Sequence, residues 1–369
     1  MLSSFDDYPI HQSSLPVALT ATSDPNHYDR YFFNGYRRDE SLYFAVALGL
    51  YPNRHVADAA FSVVRNGEQI SLHASRRAPL DRSEATEVGP IRIEVVRGLE
   101  ELRVVVDAPE QALAADLRFV RRTAAFQEPP FFRRLDHRVQ FDYTRMTQFG
   151  TWSGWINVDG ERITLDPSDN WGSRDRSWGV RPVGERYGYG APVGAPQFYW
   201  LWAPVNFPDR CTHFDVNEDS DGQRWHSEAV EVPLGDEPVR AAARSPYRIE
   251  WEPGTRRARA FELDFVDAAG AASLLRLEPI LHFQMLGLGY GHPEWGHGVW
   301  KGESAVAAER WTLPVATPCA LEHLHIQSLS RATLRQPDGT ELRGLGILEQ
   351  FVIGEHRPTG LRGLADGAS

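Results

Sequence analysis

The segment 172–179 contains the residue best suited to acid catalysis, Asp175, between two arginines. In an extended strand Asp175 and Ser177 share one face, while Arg174 and Arg176 take the other. A carboxyl group that points into an apolar pocket has a raised pKa and can act as a general acid. Two arginines that reach this carboxyl would instead lower its pKa and form a structural ion pair at a domain join. The residues alone leave both interpretations open.

The segment 289–300 is the second candidate, because it combines glycine, histidine, glutamate and tryptophan. Its glycines permit a close approach of backbone or ligand. His292, Glu294 and His297 offer metal-binding atoms, but their spacing is not that of a standard zinc site. We therefore expect His297 to be a polar group of the site, and Glu303, just beyond the segment, to be a further acid or base.

A His-x-His pattern at His323 and His325 places both imidazoles on one strand face, as in some β-barrel metal centres. The further ligands that such a centre needs do not follow in order. The sequence also lacks a GxSxG elbow, a P-loop, a GxGxxG loop after a strand and a CxxC pair. The sequence therefore gives no indication of a serine or cysteine nucleophile, or of a nucleotide cofactor. We predict that the protein uses no metal and no cofactor.

Aromatic residues are abundant, with 11 Trp, 12 Tyr and 18 Phe, and many lie near mid-chain, including Tyr187 and Tyr189. Aromatic side chains often fill cores. They also wall pockets for long apolar molecules and stabilise carbocations by cation–π attraction. On this second interpretation the predicted substrate-binding residues are Trp152, Trp171, Trp178, Tyr199, Trp200, Trp202, His292, Trp295 and Trp300.

The elements that position these residues are predicted to be strands, since apolar and polar residues alternate with a period of two. The turn pairs at 66–67, 159–160 and 338–339 are Asn-Gly or Asp-Gly between two such runs, a pattern typical of β-hairpins. A further hairpin is predicted at 91–106. Residues 109–115 suit a single helical turn, and no long amphipathic helix is expected. Many short strands predict a sandwich or barrel.

The chain repeats itself at a constant offset. The run at 43–46 matches 199–202, and the run at 90–94 matches 246–250 with the same spacing. We predict an all-β protein of two duplicated, lipocalin-like (calycin) domains, packed together as antiparallel barrels or curled sheets. The predicted domains are residues 1–185 and residues 186–369, joined through a stretch rich in Gly and Pro.

Composition excludes several classes of partner. The formal net charge of -11 opposes nonspecific binding to nucleic acid, which needs many Lys and Arg. No apolar run reaches the roughly 18 residues of a membrane span. The two cysteines, Cys211 and Cys319, make no disulfide framework, and the first residues do not resemble a signal peptide, so we expect a cytoplasmic protein. The expected partner is a hydrophobic small molecule, and the oligomeric state stays open.

Segments 174–182 and 291–298 resemble long motifs of an uncharacterised bacterial family common in actinobacteria and proteobacteria, and segments 36–44 and 146–154 fit the same family. The resemblance covers nearly the whole chain. More remotely, the duplicated layout with a Trp- and Asp-rich join is similar to the double-calycin group. That group includes carotenoid 1,2-hydratases (hydroxyneurosporene synthases), AttH-like proteins, tocopherol cyclases and some fungal Diels–Alderases. The similarity implies an apolar polyene or isoprenoid substrate, no redox cofactor, and a site near the join where Asp175 takes the place of an acid.

Together these features predict a cofactor-independent lyase or isomerase, hydratase- or cyclase-like, for an isoprenoid, steroid-like or polyketide substrate. Asp175 would protonate an alkene or leaving group, and His297 would position water or accept a proton. Trp178, Trp200 and Trp300 would shield the developing cation. Two alternatives remain: a non-catalytic carrier of a hydrophobic metabolite, and a carbohydrate-active protein, which would need two carboxylates about 5 to 10 Å apart.

Overall fold

A computed structural model describes residues 1–135, 137–184 and 194–369. The strands, in chain order, are β1 (His27–Arg37), β2 (Tyr43–Tyr51), β3 (Val56–Arg65), β4 (Glu68–Arg77), β5 (Glu87–Val88), β6 (Ile91–Arg97), β7 (Glu101–Ala108), β8 (Leu113–Arg121), β9 (Phe126–Gln127), β10 (Phe131–Leu135), β11 (Arg138–Val158), β12 (Glu161–Leu165), β13 (Asn170–Val180), β14 (Phe198–Trp202), β15 (Val205–Asn206), β16 (Arg210–Glu218), β17 (Arg224–Pro233), β18 (Arg240–Ala241), β19 (Tyr247–Trp251), β20 (Ala258–Val266), β21 (Ala272–Gln284), β22 (Ser304–Thr312), β23 (His325–Arg335) and β24 (Glu341–Ile353). The short 3₁₀ helices are Ser4–Asp7, Pro52–Arg54, Arg82–Glu84, Pro109–Gln111, Met285–Leu288, Leu321–His323 and Arg357–Thr359.

The predicted all-β fold is confirmed, and the described residues contain no α-helix. Each of the three Asn-Gly or Asp-Gly turns joins two paired strands. At the first, Asn66 has φ 51° and Gly67 has φ 75°, the positive angles that a tight hairpin turn requires. The helical turn expected in 109–115 is the 3₁₀ helix Pro109–Gln111, after which β8 begins. None of the helices in the described residues has the length and apolar character needed to cross a membrane.

The first sheet curls around an apolar core and has the strand order β22-β4-β3-β2-β1-β13-β11-β8-β7-β6-β5, with β9, β10 and β12 paired to β11. Its outermost strand, β22, comes from late in the chain. It runs antiparallel to β4, with Ser304 opposite Arg76 and Thr312 opposite Glu68. Residues 304–312 therefore join the first sheet in space, although most strands of the second sheet precede them in sequence.

The second sheet has the order β18-β17-β16-β14-β24-β23-β21-β20-β19. Positions in the two sheets can be compared by counting strands outward from β13 in the first sheet and from β24 in the second. By this count β11 corresponds to β23, β8 to β21, β7 to β20 and β6 to β19. The match of 90–94 with 246–250 therefore joins equivalent strands. The match of 43–46 with 199–202 is wrong, because β2 lies one strand further out than β14. Neighbouring apolar strands have similar patterns, so the sequence offset does not distinguish them.

Each sheet has its own core, and a third apolar layer lies between the sheets. One core is lined by Phe33, Phe44, Phe119 and Trp152, the second by Phe214, Phe261, Leu275 and Leu348, and the layer at the join by Phe32, Trp202, Phe283 and Leu329. Side chains alternate across a pleated sheet, so each central strand sends one set of residues to its core and the other set to the join. The predicted boundary at 185 and 186, with Tyr187 and Tyr189, lies outside the described residues.

Candidate active site at the join of the two sheets

Asp175 lies at the centre of β13, between β1 and β11, directly opposite Phe32 on one side and Thr147 on the other. Phe32 belongs to the apolar layer between the sheets. Side chains of directly paired residues project from the same face of a sheet. Asp175 therefore faces the join and the second sheet.

The two arginines beside Asp175 point away from it, as the alternation predicts. Arg174 Nε donates to Gln148 Oε1 at 2.8 Å, and Arg176 forms an ion pair with Asp29. The Asp175 carboxyl makes no hydrogen bond or ion pair with any described residue, and its side chain keeps partial access to solvent. The structure therefore gives no support to the alternative of an Asp–Arg pair at the join.

The surroundings of Asp175 favour its protonated form. Burial raises the pKa of Asp175 to about 7, and the nearby Glu128 and Glu349 add to the effect of burial, while Arg145 and Arg30 oppose it. A carboxyl group with a pKa near neutrality can hold and release a proton under ordinary conditions. The group is therefore chemically suited to general acid catalysis.

An ion-pair cluster connects the sheets beside Asp175. Arg145 of β11 pairs with Glu128 and, at 3.2 Å, with Asp215 of β16. Glu128 also accepts a hydrogen bond from Thr147 at 2.6 Å. His213 Nε2 lies 3.3 Å from Asp215 Oδ2. Burial acts to lower the pKa of His213, but Asp215 and Glu128 outweigh burial, so this pKa is raised. Arg145 and His213 thus balance the buried carboxylates.

A buried histidine–carboxylate pair comes from the second sheet. His325 Nε2 donates to Glu349 Oε1 at 2.7 Å, and Glu349 also accepts hydrogen bonds from Trp200 and Gln327. Burial acts to raise the pKa of Glu349, but these hydrogen bonds hold it below its ordinary value. Because Nε2 carries the proton, the lone pair of His325 is on Nδ1, which makes no hydrogen bond to a described residue. This nitrogen is suited to accept a proton.

Tyr290 lies between the two histidines at the join. Its ring makes edge contacts with His297 at 4.3 Å and with His325 at 4.7 Å between centroids. His297 Nε2 donates to the Leu288 carbonyl at 2.9 Å, and Nδ1 accepts from Arg181 at 3.3 Å. Burial and the neighbouring arginines lower the pKa of His297 well below its usual range. Both nitrogens are occupied, so His297 holds Arg181 in place instead of serving as a base.

The structure brings some of the predicted site residues together. Trp200 and Trp202 face the join, with the Arg145 guanidinium 4.8 Å and 5.8 Å from their ring centroids. Trp171 also belongs to the join, but it packs between Arg38 and Arg122. With Asp175 and His297, these tryptophans are the predicted residues placed at or near the site.

Other predicted residues lie elsewhere. Trp152 is in the first core and Tyr199 in the second. Trp178 is 43% exposed and Trp300 is 46% exposed. Glu303, just before β22, is an exposed partner of Arg77 at the end of β4. The structure places none of these five beside Asp175, because strand alternation and the edge position of β22 send their side chains to cores or to the surface.

His292 and Trp295 form a separate cluster between β4 and β22. The Trp295 ring stacks on His73, and Glu309 lies 2.9 Å from His292 Nε2 and 3.6 Å from His73 Nε2. Two imidazoles and a carboxylate suggest a metal site. However, His292 Nδ1 accepts two backbone N–H groups, from Glu294 and Trp295, so Nε2 carries the proton and donates to Glu309. His292 therefore has no lone pair free for a metal.

Sequence reasoning did not select the arginines, Tyr290 or the His325–Glu349 pair for the site. Arg181 and Tyr290 lie within the motifs 174–182 and 289–300, and the His-x-His pattern points to His325 only as a metal ligand. Arg145 and Glu349 had no motif around them. The one sequence feature that indicates either residue is a charged side chain at a position where the period-two pattern predicts burial.

Solved structures share the fold at low sequence identity. An AttH-like protein from Nitrosomonas europaea is 14% identical, with 92% of this chain and 98% of that chain covered and a TM-score of 0.54. Kievitone hydratase from Nectria haematococca is 13% identical, with 88% of each chain covered and a TM-score of 0.55. CghA, solved with Sch210972, is 13% identical over 89% of each chain, with a TM-score of 0.51. The predicted double-calycin layout is therefore confirmed at the level of the fold.

Comparison with sequences gives the family. No curated protein sequence matches the chain significantly. A family profile matches residues 2–362, which is almost the entire length. The chain belongs to the family of unknown function DUF8625.

Proposed function

We propose that this protein is a cofactor-independent lyase or isomerase, of hydratase or cyclase type, that acts on a hydrophobic small molecule through general acid catalysis by Asp175. The observation that carries the proposal is the state of this one side chain. Its pKa is raised to about 7, it has no partner among the described residues, and it faces an apolar layer between two sheets. A structural carboxyl group would be expected to have a partner.

In the proposed reaction Asp175 transfers its proton to an alkene carbon or to a leaving oxygen of the substrate. The neighbouring carbon becomes electron-deficient. In a hydration, water forms a bond to that carbon and gives up a proton to Nδ1 of His325. In an isomerisation, a C–H bond next to that carbon supplies the electron pair and its proton goes to Nδ1 of His325. In a cyclisation, a second double bond supplies the electron pair, and the new electron-deficient carbon then loses a neighbouring proton to the same nitrogen. Exchange with water then returns both groups to their starting states.

The base in this scheme is His325, not His297. His325 is oriented by Glu349, leaving Nδ1 available, whereas both nitrogens of His297 have partners. A buried carboxylate that accepts Nε2–H fixes the tautomer and stabilises the imidazolium that forms when the base accepts a proton. Trp200, hydrogen-bonded to the same Glu349, presents its ring at the join as part of the apolar wall.

The comparisons give a second, weaker support. One protein with the same fold is named as a hydratase, and hydration without a redox cofactor is the chemistry proposed here. At 13% identity this support is an analogy of fold. The resemblance to the double-calycin group points in the same direction, since an isoprenoid, steroid-like or polyketide substrate fits an aromatic and apolar join.

The test is isotope incorporation with a panel of unsaturated hydrophobic compounds. The protein is incubated with each compound in deuterium oxide or in heavy-oxygen water, and products are analysed by mass spectrometry. We expect carbon-bound deuterium, together with heavy oxygen if the reaction is a hydration. Asp175→Asn should abolish this incorporation, and Asp107→Asn, an exposed aspartate on β7, should not.

Undiminished incorporation by Asp175→Asn would remove Asp175 from the mechanism. Tight binding of a compound that is recovered unchanged after prolonged incubation would instead favour the alternative, a carrier of a hydrophobic metabolite.

A further inference from the structure

Arg181 carries a positive charge into the join and has no carboxylate partner among the residues that the structure describes. Its Nη2 donates to His297 Nδ1 at 3.3 Å, and its guanidinium lies 4.5 Å from the ring centroid of Tyr28 and 5.7 Å from that of Tyr290. Within residues 1–135, 137–184 and 194–369, no ion pair is formed by Arg181. Cations removed from bulk water are normally neutralised by an acid, so this arrangement calls for a negative group from outside the described protein.

The carboxylate that could neutralise Arg181 is already occupied. Asp58 accepts from Tyr51 at 3.1 Å, from the Gly298 N–H at 2.8 Å, and pairs with Arg30 at 3.5 Å. The two terminal nitrogens of Arg30 also donate to the Tyr51 hydroxyl and to the Leu288 carbonyl. Asp58 therefore pairs with Arg30 and not with Arg181, whose direct contacts among the described residues are His297, Tyr28 and Tyr290.

Two phenol groups beside Arg181 also lack partners. Tyr28 is fully buried, and its hydroxyl, which lies near Ser177, makes no well-formed hydrogen bond to a described residue. The Tyr290 hydroxyl makes no hydrogen bond to a described residue, and its side chain keeps partial access to solvent. A cation with unused O–H donors next to it is the donor set that receives an oxygen anion.

The charges nearest Tyr290 favour an oxygen anion at that end of the site. Tyr290 is near Arg30 and Arg181, whereas Asp175 has Glu128 and Glu349 around it as well as Arg145 and Arg30. Positive groups at short range raise the energy of a carbocation and lower that of a developing oxyanion. A substrate that spreads electron density onto an oxygen would therefore suit the site better than a pure hydrocarbon.

We infer that the molecule bound beside Asp175 has an apolar body and an anionic oxygen, as a carboxylate, phenolate or enolate, which Arg181 binds with the Tyr290 hydroxyl. The inference rests on the proposed function in that it names the substrate class of the same site. Protonation by Asp175 would then occur on a molecule whose orientation is fixed by its charged end. Arg181 is accordingly a binding residue that determines specificity.

The experiment compares two fluorescent probes of the same shape. Anilinonaphthalene sulfonate carries a negative charge, and N-phenylnaphthylamine is its neutral counterpart. We expect the wild-type protein to bind the anion more tightly. Arg181→Met should weaken binding of the anion about tenfold and change binding of the neutral probe less than about twofold, with Arg181→Lys intermediate.

Two further variants fix the location of the effect. Arg343→Met removes the same charge from an exposed position on β24 and should leave both affinities unchanged. Asp175→Asn should strengthen binding of the anion at about pH 8, since it removes a nearby negative charge. Retained binding of the neutral probe shows that each variant is folded.

The inference is overturned if the wild-type protein does not prefer the anion, or if Arg181→Met weakens both probes equally or neither. These results are independent of catalysis. The two proposals can therefore fail separately. If Asp175→Asn retains turnover while Arg181→Met no longer prefers the anionic probe, the proposed function is refuted and the proposed anion-binding site is supported.

Discussion

The Arg145 guanidinium of the first sheet donates to the Asp215 carboxylate of the second sheet, with Nη2 and Oδ2 3.2 Å apart. Both side chains are buried, and Arg145 also pairs with Glu128 and lies over the ring of Trp200. The same guanidinium is the main positive influence on Asp175. The group that joins the sheets therefore also opposes the effect of burial on the pKa of the proposed acid, so the site depends on the docking of both halves.

Arg145→Met is predicted to destabilise the protein by about 3–5 kcal/mol, because it leaves Glu128 and Asp215 buried without their cation. Urea unfolding measures the difference. Combining Arg145→Met with Glu128→Gln should recover part of the loss, since one uncompensated charge is removed. Arg343→Met, at an exposed position, should change the free energy of unfolding by less than about 0.5 kcal/mol. If Arg145→Met and Arg343→Met changed the free energy of unfolding equally, the role given to Arg145 would be contradicted.

The activity proposed for Asp175 has a defined pH dependence. The carboxyl must be protonated to act as an acid, and its pKa is raised to about 7, so turnover should fall as the pH rises through about 7. The charged groups that face it are Arg30, Glu128, Arg145 and Glu349. Asp175→Asn should lower turnover by about 10²–10⁴-fold and abolish this limb of the profile. A profile of wild-type turnover that stays flat between about pH 6 and pH 8 would contradict the assignment.

Asp175 should also lower the free energy of unfolding at alkaline pH, where its buried carboxyl group is ionised. Its pKa rises from 3.8 in the unfolded chain to about 7 in the folded protein, so the folded state binds the proton more tightly. Stability is therefore lost as the pH increases from 3.8 to about 7 and is constant above that. Asp175→Asn avoids this loss, and we expect it to be more stable than wild type by about 1–2 kcal/mol at alkaline pH.

Unfolding in denaturant at a series of pH values measures this stability difference. The advantage of Asp175→Asn should grow between acid and neutral pH. If the variant has the same advantage at every pH, the raised pKa of Asp175 is refuted. Asp107→Asn, an exposed substitution, is the control and should show no such growth.

His325→Gln tests the proposed base. It removes Nδ1 as a proton acceptor while keeping a side chain that can donate to Glu349, so turnover should fall by about 10²-fold or more. Affinity for N-phenylnaphthylamine should stay within about twofold of wild type, since the apolar wall is retained. The matched control is His282→Gln on β21, where the imidazole bonds to Ser328 outside the site. Turnover that is equal in the two variants would exclude His325 as the base.

Much of the fold follows from local pattern. The alternation of apolar and polar residues and the turn pairs at 66–67, 159–160 and 338–339 identify strands and hairpins, because side-chain period and turn angles are properties of a few adjacent residues. Alternation alone also places Asp175 on the face opposite Arg174 and Arg176, and the structure has this arrangement. These features need no knowledge of distant contacts.

Pairing between distant strands was not determined by the sequence. The strand 304–312 lies on the edge of the first sheet, and 199–202 is equivalent to β1 instead of β2. Register and strand order depend on which apolar faces pack together, and several apolar strands satisfy the same local pattern. For the same reason the sequence could not separate Trp200 at the join from Trp152 in a core.

The sequence by itself determined that the chain is built of β-strands and that Asp175 points away from its two neighbouring arginines. Only the tertiary structure decided that Arg145, Glu128, Glu349 and Arg30 lie close enough to shift its pKa. The physical reason is that strand geometry is set by neighbours in sequence, whereas a pKa and an ion pair depend on charges that the fold brings within a few ångströms.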